Sequence, residues 1–502
     1  MIPTVARNIL ANVAGAGLAM AVFLVVVPIY LRLLGAEAYG LIGLFTTVMV
    51  ASTVLDLGLG ATLNREVARL TARAATTADD RDVAITLEAG GWGVGLLAGA
   101  LFAIAAPVIA GRWLTFSHLA PGDVRGALWL MAAALPALVA RSLYLAGLNG
   151  LQRQGLANLV QVTGTVVRAI ASVTALRLIE PVIGVFFTVQ VTLLLVETLA
   201  LAVALRRALP VTARGGRVRP AALRSLLGFS FGVSGTMLLG FALMSIDQIV
   251  LSAILPLAEF GYYTLAVSAA NAVGQLVQPV TTAVYPRFSQ LVEQGDDTAL
   301  AEEYHFFSQL VAVLVLPLGA ILIAFPGELL VLWTHDSRVA QAAAVVLALR
   351  AIGTVLNALM HVPHVLQLAF GWSTLGAGVN AVALLLVAPA TVALSLAAGG
   401  AGAAGVYIAL NLGAIVAAMA RMHRRVLPGE LLRWYARLVR PAVAVAMVAA
   451  LSRATMPEGL GTIGLLTWLG ATGAVLTGVA LAAAGGVRRR VVAATAQRRA
   501  AR

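Results

Sequence analysis

The sequence predicts an all-α integral membrane protein with about 14 transmembrane helices, arranged as two pseudo-symmetric six-helix lobes plus a C-terminal helix pair. Of its 502 residues, 61% are hydrophobic and only 11% are charged, whereas roughly a quarter of an ordinary soluble domain is charged. Apolar runs of about 20 residues, the length that crosses a bilayer as a helix, recur from end to end. These runs do not alternate between polar and apolar residues, so a membrane β-barrel is excluded.

The predicted spans are delimited by clusters of glycine, proline and charged residues. In chain order, spans 1 to 14 lie near residues 9–34, 39–62, 85–110, 124–149, 157–179, 182–205, 226–255, 260–285, 304–326, 341–364, 373–397, 402–421, 441–455 and 461–484. Span 1 follows Arg7 and contains Ala19-Met20-Ala21, which has the form of a signal-peptide cleavage site. Its apolar run continues to Leu34, which is too long for the core of a signal peptide. We therefore expect span 1 to be retained.

The distribution of arginine predicts that both termini are cytoplasmic. All 34 basic residues are arginine, and Arg141, Arg168 and Arg350 lie within spans. With the N-terminus inside, the outer segments carry Arg32, Arg112, Arg125, Arg177, Arg338 and Arg453. The remaining arginines fall on inner segments, as the positive-inside rule requires. The net charge of +13 is therefore expected to face anionic membrane lipids, and no nucleic acid partner is predicted.

A weak internal repeat supports the division into lobes. Residues 34–40 (LGAEAYG), between spans 1 and 2, resemble residues 255–261 (LPLAEFG), between spans 7 and 8. Six spans per lobe give both lobes the same orientation, a common plan among transporters. The predicted partition is 1–205 for the N-terminal lobe, 206–225 for a basic cytoplasmic linker, 226–421 for the C-terminal lobe, 422–440 for an interfacial amphipathic segment, 441–484 for spans 13 and 14, and 485–502 for a basic cytoplasmic tail.

Two inner connections are predicted to be interfacial helices, at residues 63–73 and 430–440. In the second, arginines share one face, and the other face carries Leu431, Trp434, Tyr435 and Leu438. We expect this apolar face to lie in lipid.

Three spans carry polar side chains at helical spacing. The stripe of span 5 is Gln161, Thr165, Arg168 and Ser172; that of span 8 is Ser268, Asn271, Gln275, Gln278, Thr282 and Tyr285; that of span 10 is Arg350, Thr354, Asn357, His361 and His364. A span that faces lipid needs no polar side chains, so each stripe marks a face turned to protein or water. The alternative is that the polar residues only join neighbouring helices.

The arginines inside spans indicate an anionic substrate. An arginine at the bilayer centre costs at least about 2.5 kcal/mol, and its forked donors suit phosphate. The alternative compensation is an ion pair with Glu197 or Asp247, or hydrogen bonds to backbone carbonyls, and for Arg141 this alternative is favoured. The candidate substrate-binding residues are Arg168, Arg350, Arg141, Gln161, Thr165, Asn271, Gln275, Gln278 and Asn357.

Acidic residues inside spans are candidates for gating or for coupling to H+ or Na+. Asp247 and Glu197 lie within spans, and Asp56 lies near the inner end of span 2, where a gate pair with Arg65 competes with a cation site. His361 and His364 share a helical face but have no third clustered ligand, so no metal site is predicted. The chain has no cysteine, and neither a cofactor nor a catalytic residue is predicted.

Two blocks of sequence resemble a known family. The first runs from Pro28 to Leu41 and continues at residues 55–60 (LDLGLG); the second comprises residues 245–250 (SIDQIV), 259–263 (EFGYY) and 285–289 (YPRFS). Both are similar to bacterial polysaccharide (O-antigen type) flippases of the multidrug/oligosaccharidyl-lipid/polysaccharide (MOP) exporter superfamily. Spans 13 and 14 resemble the extra helix pair of the lipid II flippase branch.

The resemblance implies a transporter of the bacterial cytoplasmic membrane with two lobes around a cationic cavity. It implies translocation of polyprenyl-diphosphate-linked oligosaccharide from the inner to the outer leaflet by alternating access, for cell-surface polysaccharide biosynthesis. It also places Asp247 where the family often carries aspartate.

Other functions remain as alternatives. A multidrug or small-solute cation-coupled antiporter of the same superfamily would favour acidic residues in its cavity, but the central charges here are basic. A membrane glycosyltransferase or polymerase would need a carboxylate on an outer loop, and the first outer loop offers only Glu37. A scaffold without transport activity would leave the polar stripes unexplained.

Overall fold

The structure, a computed structural model, describes residues 2–72, 78–209, 217–218, 238–372 and 374–490. In these residues every regular element is a helix, apart from one isolated bridge between Thr115 and Pro256. Among the described residues, ten helices are long and apolar enough to cross a membrane, so the prediction of an all-α membrane protein is confirmed. Most of the predicted linker (206–225) and tail (485–502) lies outside the described residues.

The chain forms two compact units, Met1–Gly261 and Tyr262–Arg502. The helices of the first unit are α1 (Ile2–Leu55), α2 (Leu59–Ala72), α3 (Ala78–Val108), α4 (Pro121–Gly150), α5 (Gln154–Leu178), α6 (Ile183–Ala208) and α7 (Leu238–Ile254), and α8 (Leu257–Gln275) begins there. Helix α4 packs against α1, α2, α3 and α6, and many of its residues, such as Leu128 and Leu143, are fully buried. This central helix and its neighbours position the arginine-rich site described below.

The turn between α1 and α2 corrects the predicted end of span 2. That span was expected to run to residue 62, but α1 ends at Leu55 and the amphipathic α2 begins at Leu59. The Asp56 carboxylate accepts a hydrogen bond from the backbone N–H of Gly58 (2.9 Å), and Gly58 has a positive φ of 74°. An aspartate that binds nearby backbone in this way competes with the helix and ends it.

The two copies of the internal repeat contact each other reciprocally within the first unit. A Cβ atom on Gly40 would collide with the carbonyl oxygen of Leu257, and one on Gly261 would collide with that of Ala36. In the repeat, Gly40 corresponds to Gly261 and Ala36 to Leu257, so each contact is the counterpart of the other. Such reciprocity is the signature of a two-fold related contact, and it requires glycine at both positions.

The second unit contains the rest of α8 and, within its described residues, the helices named next together with a helical stretch at residues 485–490. The named helices are α9 (Gln278–Gln294), α10 (Asp297–Ala324), α11 (Pro326–Thr334), α12 (Ser337–Leu359), α13 (His361–Ala369), α14 (Thr374–Gly413), α15 (Met419–Arg425), α16 (Leu431–Ala454) and α17 (Thr462–Ala483). A π-helical turn joins α14 to α15. Helix α10 packs against α12, α16 and α17.

All fourteen predicted spans have helical counterparts in the described residues. Two long helices each supply two spans, because α1 has a non-helical residue at Gly35 and α14 has a break at Ala398 and Gly399. The predicted lobe boundaries stay a prediction.

Two spans that were predicted as single helices are broken. Span 8 divides into α8, which ends at Gln275, and α9, which begins at Gln278, and span 10 divides into α12 and α13 at Met360. In each case a proline follows the break, Pro279 in the first turn of α9 and Pro363 in that of α13. Proline lacks an N–H and is tolerated mainly in the first turn of a helix, which explains where the breaks fall.

The amphipathic segment near residue 430 differs from its prediction. Helix α16 runs without interruption through Arg440 into span 13. Trp434 is 1% exposed and its indole N–H donates to the Ser308 hydroxyl (3.3 Å); the Tyr435 hydroxyl donates to the carbonyl of Ile415 (2.8 Å). The expectation that this face lies in lipid is therefore wrong: it packs against other helices of the second unit, which satisfy its polar atoms.

Candidate functional site

The centre of the candidate site is one carboxylate shared by two arginines. Glu197 of α6 is 4% exposed. The Nε of Arg141, on α4, donates to Glu197 Oε1 (2.6 Å), and Arg168, on α5, forms an ion pair with Oε2. We call Arg141, Arg168 and Glu197, together with Gln161, the arginine cluster.

Two residues of α5 shape the arginine cluster. Gln161 Oε1 accepts a hydrogen bond from Nη2 of Arg141 (3.1 Å). Gly164 leaves room for the carboxylate, since a Cβ atom there would overlap Oε2 of Glu197. Sequence reasoning missed Gly164, although it lies on α5 only one residue before the polar stripe residue Thr165.

The arginine cluster carries a net positive charge inside the first unit. Two guanidinium groups face one carboxylate, and the arginine side chains retain 21% (Arg141) and 13% (Arg168) exposure. Charges removed from water are stable only when they are paired and hydrogen-bonded. One carboxylate balances the charge of only one of the two cations.

The rest of the span 5 stripe has local partners. The hydroxyl of Thr165 donates to the carbonyl of Gln161 in its own helix (2.9 Å). Ser172 is fully buried and its hydroxyl accepts a hydrogen bond from Gln190 of α6 (3.2 Å). The contact between Ser172 and Gln190 joins α5 to α6, as the alternative interpretation of the stripe supposed.

The span 8 stripe forms an exposed polar face along α8 and α9. Its exposed members are Asn271, Gln275, Gln278, Thr282 and Tyr285, whereas Ser268 is half-buried. Exposed amides are unfavourable against hydrocarbon. This face is therefore suited to water or to a polar solute.

The span 10 stripe includes a buried arginine in the second unit. Arg350 is 3% exposed and its guanidinium carbon lies 3.8 Å from the ring centroid of Tyr407 on α14. Gly353 permits this approach, because a Cβ atom there would overlap the Tyr407 ring. One turn further along α12, the Asn357 amide donates to Oδ1 of Asn411 (2.9 Å). The stripe thus joins α12 to α14.

The two histidines of span 10 have separate surroundings. Nδ1 of His361 lies 3.1 Å from the Asn357 carbonyl oxygen, and His364 is exposed. Within the described residues, no group of three His, Cys, Asp or Glu side chains is arranged to hold a metal ion.

The other acidic candidates lie at helix junctions or helix contacts of the first unit. Besides Gly58, Asp56 accepts from the Ser142 hydroxyl (3.3 Å), and Arg65 pairs with its neighbour Glu66 (3.0 Å). Asp247 is 5% exposed and accepts from the backbone N–H of Gln248 (2.9 Å). Of the three acidic candidates, the structure brings Glu197 to the arginines.

Glu37, the single acidic residue of the first outer loop, accepts hydrogen bonds from backbone N–H groups. Glu37 is buried, and its carboxylate accepts three backbone N–H hydrogen bonds, from Ser117, His118 and Leu119, at 2.7 to 2.9 Å. These bonds tie the segment before α4 to α1. The Glu37 carboxylate therefore holds this segment in place.

Comparison with known families identifies the chain. The family described as polysaccharide biosynthesis protein matches residues 5–292, which is more than half of the sequence. The chain belongs to this family. The matched residues include the whole arginine cluster and the exposed polar face of α8 and α9. No curated protein sequence matches the chain.

Solved structures show that this polysaccharide biosynthesis family member has the fold of MOP superfamily transporters. It superimposes on the lipid II flippase MurJ in an inward closed conformation with a TM-score of 0.69 at 10% identity, covering 91% of this chain and 98% of MurJ. An inward-facing multidrug resistance MATE family transporter gives 0.67 at 14% identity, covering 82% of this chain and 95% of the transporter. A MOP superfamily transporter from Pyrococcus furiosus gives 0.56 at 16% identity, with 85% and 96% covered.

Proposed function

We propose that this transporter is a flippase that moves polyprenyl-diphosphate-linked oligosaccharide from the inner to the outer leaflet by alternating access, for cell-surface polysaccharide biosynthesis. The observation that carries the proposal is the arginine cluster, in which Arg141 and Arg168 share the single carboxylate of Glu197. Membership of the polysaccharide biosynthesis family supports the substrate class. The proposed location is the bacterial cytoplasmic membrane, with both termini in the cytoplasm.

The diphosphate is proposed to bind where the guanidiniums now hold the carboxylate. Each guanidinium presents five N–H donors in a fixed fork that matches phosphate oxygens. In this structure, Glu197 occupies donors of both Arg141 and Arg168 and so offsets the cost of their desolvation. An arriving diphosphate competes with this carboxylate for the same donors.

Glu197 is also the proposed coupling residue. A proton on Glu197 removes the negative charge that holds the two arginines and leaves both cations for the substrate. Release of that proton restores the internal pair and expels the anion. Coupling to H+ therefore follows from one shared carboxylate, without a further ion.

The glycan is proposed to contact the polar face of α8 and α9. Asn271, Gln275 and Gln278 are exposed there, and each amide offers both donors and acceptors for sugar hydroxyls. Asn357 is a less direct candidate, because its amide is engaged with Asn411.

The alternatives receive less support from the contacts. A multidrug antiporter would need a carboxylate ready for an organic cation, but Glu197 already faces two arginines. A polymerase would need a reactive outer carboxylate, but Glu37 is held by three backbone N–H groups.

The test is translocation in proteoliposomes. A fluorescent polyprenyl-diphosphate oligosaccharide is reconstituted with wild type, Arg168→Ala or Arg177→Ala, and outward movement is scored with a membrane-impermeant quencher. Arg177 is exposed in the last turn of the same helix, so it is the matched control. We expect wild type and Arg177→Ala to move the lipid and Arg168→Ala to lose at least about 90% of the rate, since charge-assisted hydrogen bonds contribute about 1.5–3 kcal/mol.

Two outcomes would reject the proposal. One is a wild-type protein that moves no lipid-linked glycan but exchanges a cationic dye for H+ or Na+, which would favour the multidrug alternative. The other is Arg168→Ala transporting like wild type, which would make the arginine cluster structural.

A further inference from the structure

A long apolar groove runs along the second unit, away from the polar stripes. It encloses about 850 Å³ between the first half of α14 and the segment from the second half of α14 to α15. One wall runs from Gly378 to Leu394 and the other from Gly405 to Arg421. Its lining is almost wholly aliphatic, and several wall residues, including Leu386 and Ala409, are exposed.

The groove is longer than one leaflet. Each wall covers sixteen residue steps, which at about 1.5 Å per residue is about 24 Å. The hydrocarbon core of a bilayer is about 30 Å thick, so one leaflet accounts for roughly 15 Å. A phospholipid chain ends near the midplane, whereas this groove continues past it. The dimensions fit one chain that is longer than a phospholipid acyl chain.

One end of the groove is cationic. Arg421 lines that end together with Trp372, and the guanidinium carbon of Arg425 lies 4.4 Å from the ring centroid of Trp372. No acidic side chain lies among the described residues that line the groove. By the predicted topology, this end is the cytoplasmic one. A groove that is apolar along its length and cationic at one end complements a lipid with a long chain and an anionic head.

We propose that this groove is an entry site for the polyprenyl chain of the lipid-linked substrate, with the phosphate-bearing end of the chain held at Arg421 before the diphosphate reaches the arginine cluster. The inference rests on the proposed flippase function and assigns the lipid tail to a site of its own. The chain lies against α14, where protein replaces lipid as its neighbour, and the phosphate end enters from the leaflet in which Arg421 is expected to lie.

The test is photo-cross-linking in nanodiscs of phosphatidylethanolamine and phosphatidylglycerol. The probe is a polyprenyl diphosphate with a diazirine on its distal isoprene unit. Labelled peptides are mapped by mass spectrometry, and labelling is competed with unlabelled polyprenyl diphosphate or with added phosphatidylglycerol. The variants are Ala409→Leu, which fills the groove, and Arg421→Gln.

The chain offers matched controls for both variants. Ala446 is an exposed alanine on α16 outside the groove, and Arg424 is exposed beside Arg421 but does not line it. The controls are therefore Ala446→Leu and Arg424→Gln.

We expect labels within residues 378–421, competed by polyprenyl diphosphate and not by phosphatidylglycerol. We expect Ala409→Leu to abolish most of this labelling. Arg421→Gln should raise the concentration of polyprenyl diphosphate needed for competition about tenfold, the ratio for loss of one charge-assisted hydrogen bond. The control variants label like wild type.

Equal competition by phosphatidylglycerol would overturn the inference, because the groove would then bind ordinary lipid. Labels confined to other helices would also overturn it. Translocation of lipid-linked glycan, measured on the same preparations, separates this failure from that of the proposed function. If wild type transports and Ala409→Leu labels normally, only the groove assignment fails. If the groove labels as expected but wild type transports nothing, the flippase proposal fails and the polyprenyl site stands.

Discussion

The two units of the protein each place arginine inside apolar helices, and the contacts that distinguish these arginines differ in kind. In the first unit, Arg141 and Arg168 share the carboxylate of Glu197. In the second unit, Arg350 lies against the ring of Tyr407. A carboxylate can be protonated or displaced by a stronger anion, whereas an aromatic ring can be neither.

This difference assigns different roles to arginines that look alike in the sequence. An ion pair in a low-dielectric site is a balance between large opposing terms, the desolvation cost and the Coulomb attraction. Such a balance is easily tipped by a ligand. A cation on a ring gains a smaller energy, up to about 2 kcal/mol when desolvated, and offers no site for proton exchange. We expect the first unit to carry the exchangeable anion site and the Arg350 contact to be structural.

The largest expected effect comes from removing the shared carboxylate. Glu197→Ala leaves two guanidiniums without their counter-charge, and removing one partner of a buried ion pair costs about 3–5 kcal/mol. We expect a large loss of thermal stability in detergent, measured by fluorescence-detected size exclusion. Glu180→Ala is the control, since Glu180 is exposed between α5 and α6. Equal melting temperatures for the two variants would show that the carboxylate does not compensate the arginines.

A smaller effect is expected from crowding the arginine cluster. In Gly164→Ala the added methyl group overlaps Oε2 of Glu197 and pushes the carboxylate away from Arg168. We expect a reduction of the translocation rate of about tenfold, which corresponds to about 1.4 kcal/mol. Gly155→Ala, on the same helix and with open space around the new methyl group, should transport like wild type. Unimpaired transport by Gly164→Ala would argue against a geometric requirement at the cluster.

The aromatic contact gives the next effect, on stability rather than on substrate affinity. Tyr407→Leu removes the ring that faces Arg350, and we expect a loss of about 1–2 kcal/mol in stability. Tyr407→Phe keeps the ring and should lose less stability than Tyr407→Leu. Both variants should bind the substrate with unchanged affinity in a microscale thermophoresis titration. A loss of substrate affinity in Tyr407→Leu would contradict the assignment of a structural role to the Arg350 contact and of anion binding to the first unit.

The smallest effect is expected at a carboxylate outside the membrane spans. Glu430 lies within 2.7 Å of both His305 and Arg433. Partial burial favours a higher pKa for Glu430, but its hydrogen bond with His305 and the charges of His305 and Arg433 outweigh this and lower the pKa below its usual value. A carboxylate with a lowered pKa in the folded state stabilises the protein above its unfolded pKa, and that stability is lost as pH falls through the folded value.

We therefore expect acid to lower the melting temperature of wild type more than that of Glu430→Gln at and below about pH 4, the usual range for glutamate. At neutral pH, the wild type should be the more stable of the two. Parallel pH profiles would show that this carboxylate is not stabilised by its cations.

The sequence predicted the spans and the polar stripes because both follow from helical periodicity. It could not identify which carboxylate pairs with Arg141 and Arg168, since Glu197 is on a different helix and neighbouring helices cannot be recognised from spacing alone. Glu197 or Asp247 was left open for that reason. The packing roles of Gly164 and Tyr407 also depend on which helices meet. Spans 8 and 10 were predicted as single spans, although Pro279 and Pro363 stand in the sequence beside the breaks.

The central claim is that Glu197 is an internal competitor of the diphosphate at Arg141 and Arg168. Its most direct test is the affinity of a polyprenyl diphosphate for wild type, Glu197→Gln and Arg168→Ala in nanodiscs, after gel filtration has shown each to be folded. We expect Glu197→Gln to bind the diphosphate about tenfold or more tightly than wild type, because the competing charge is gone, and Arg168→Ala to bind it more weakly. An unchanged or lower affinity in folded Glu197→Gln would contradict it.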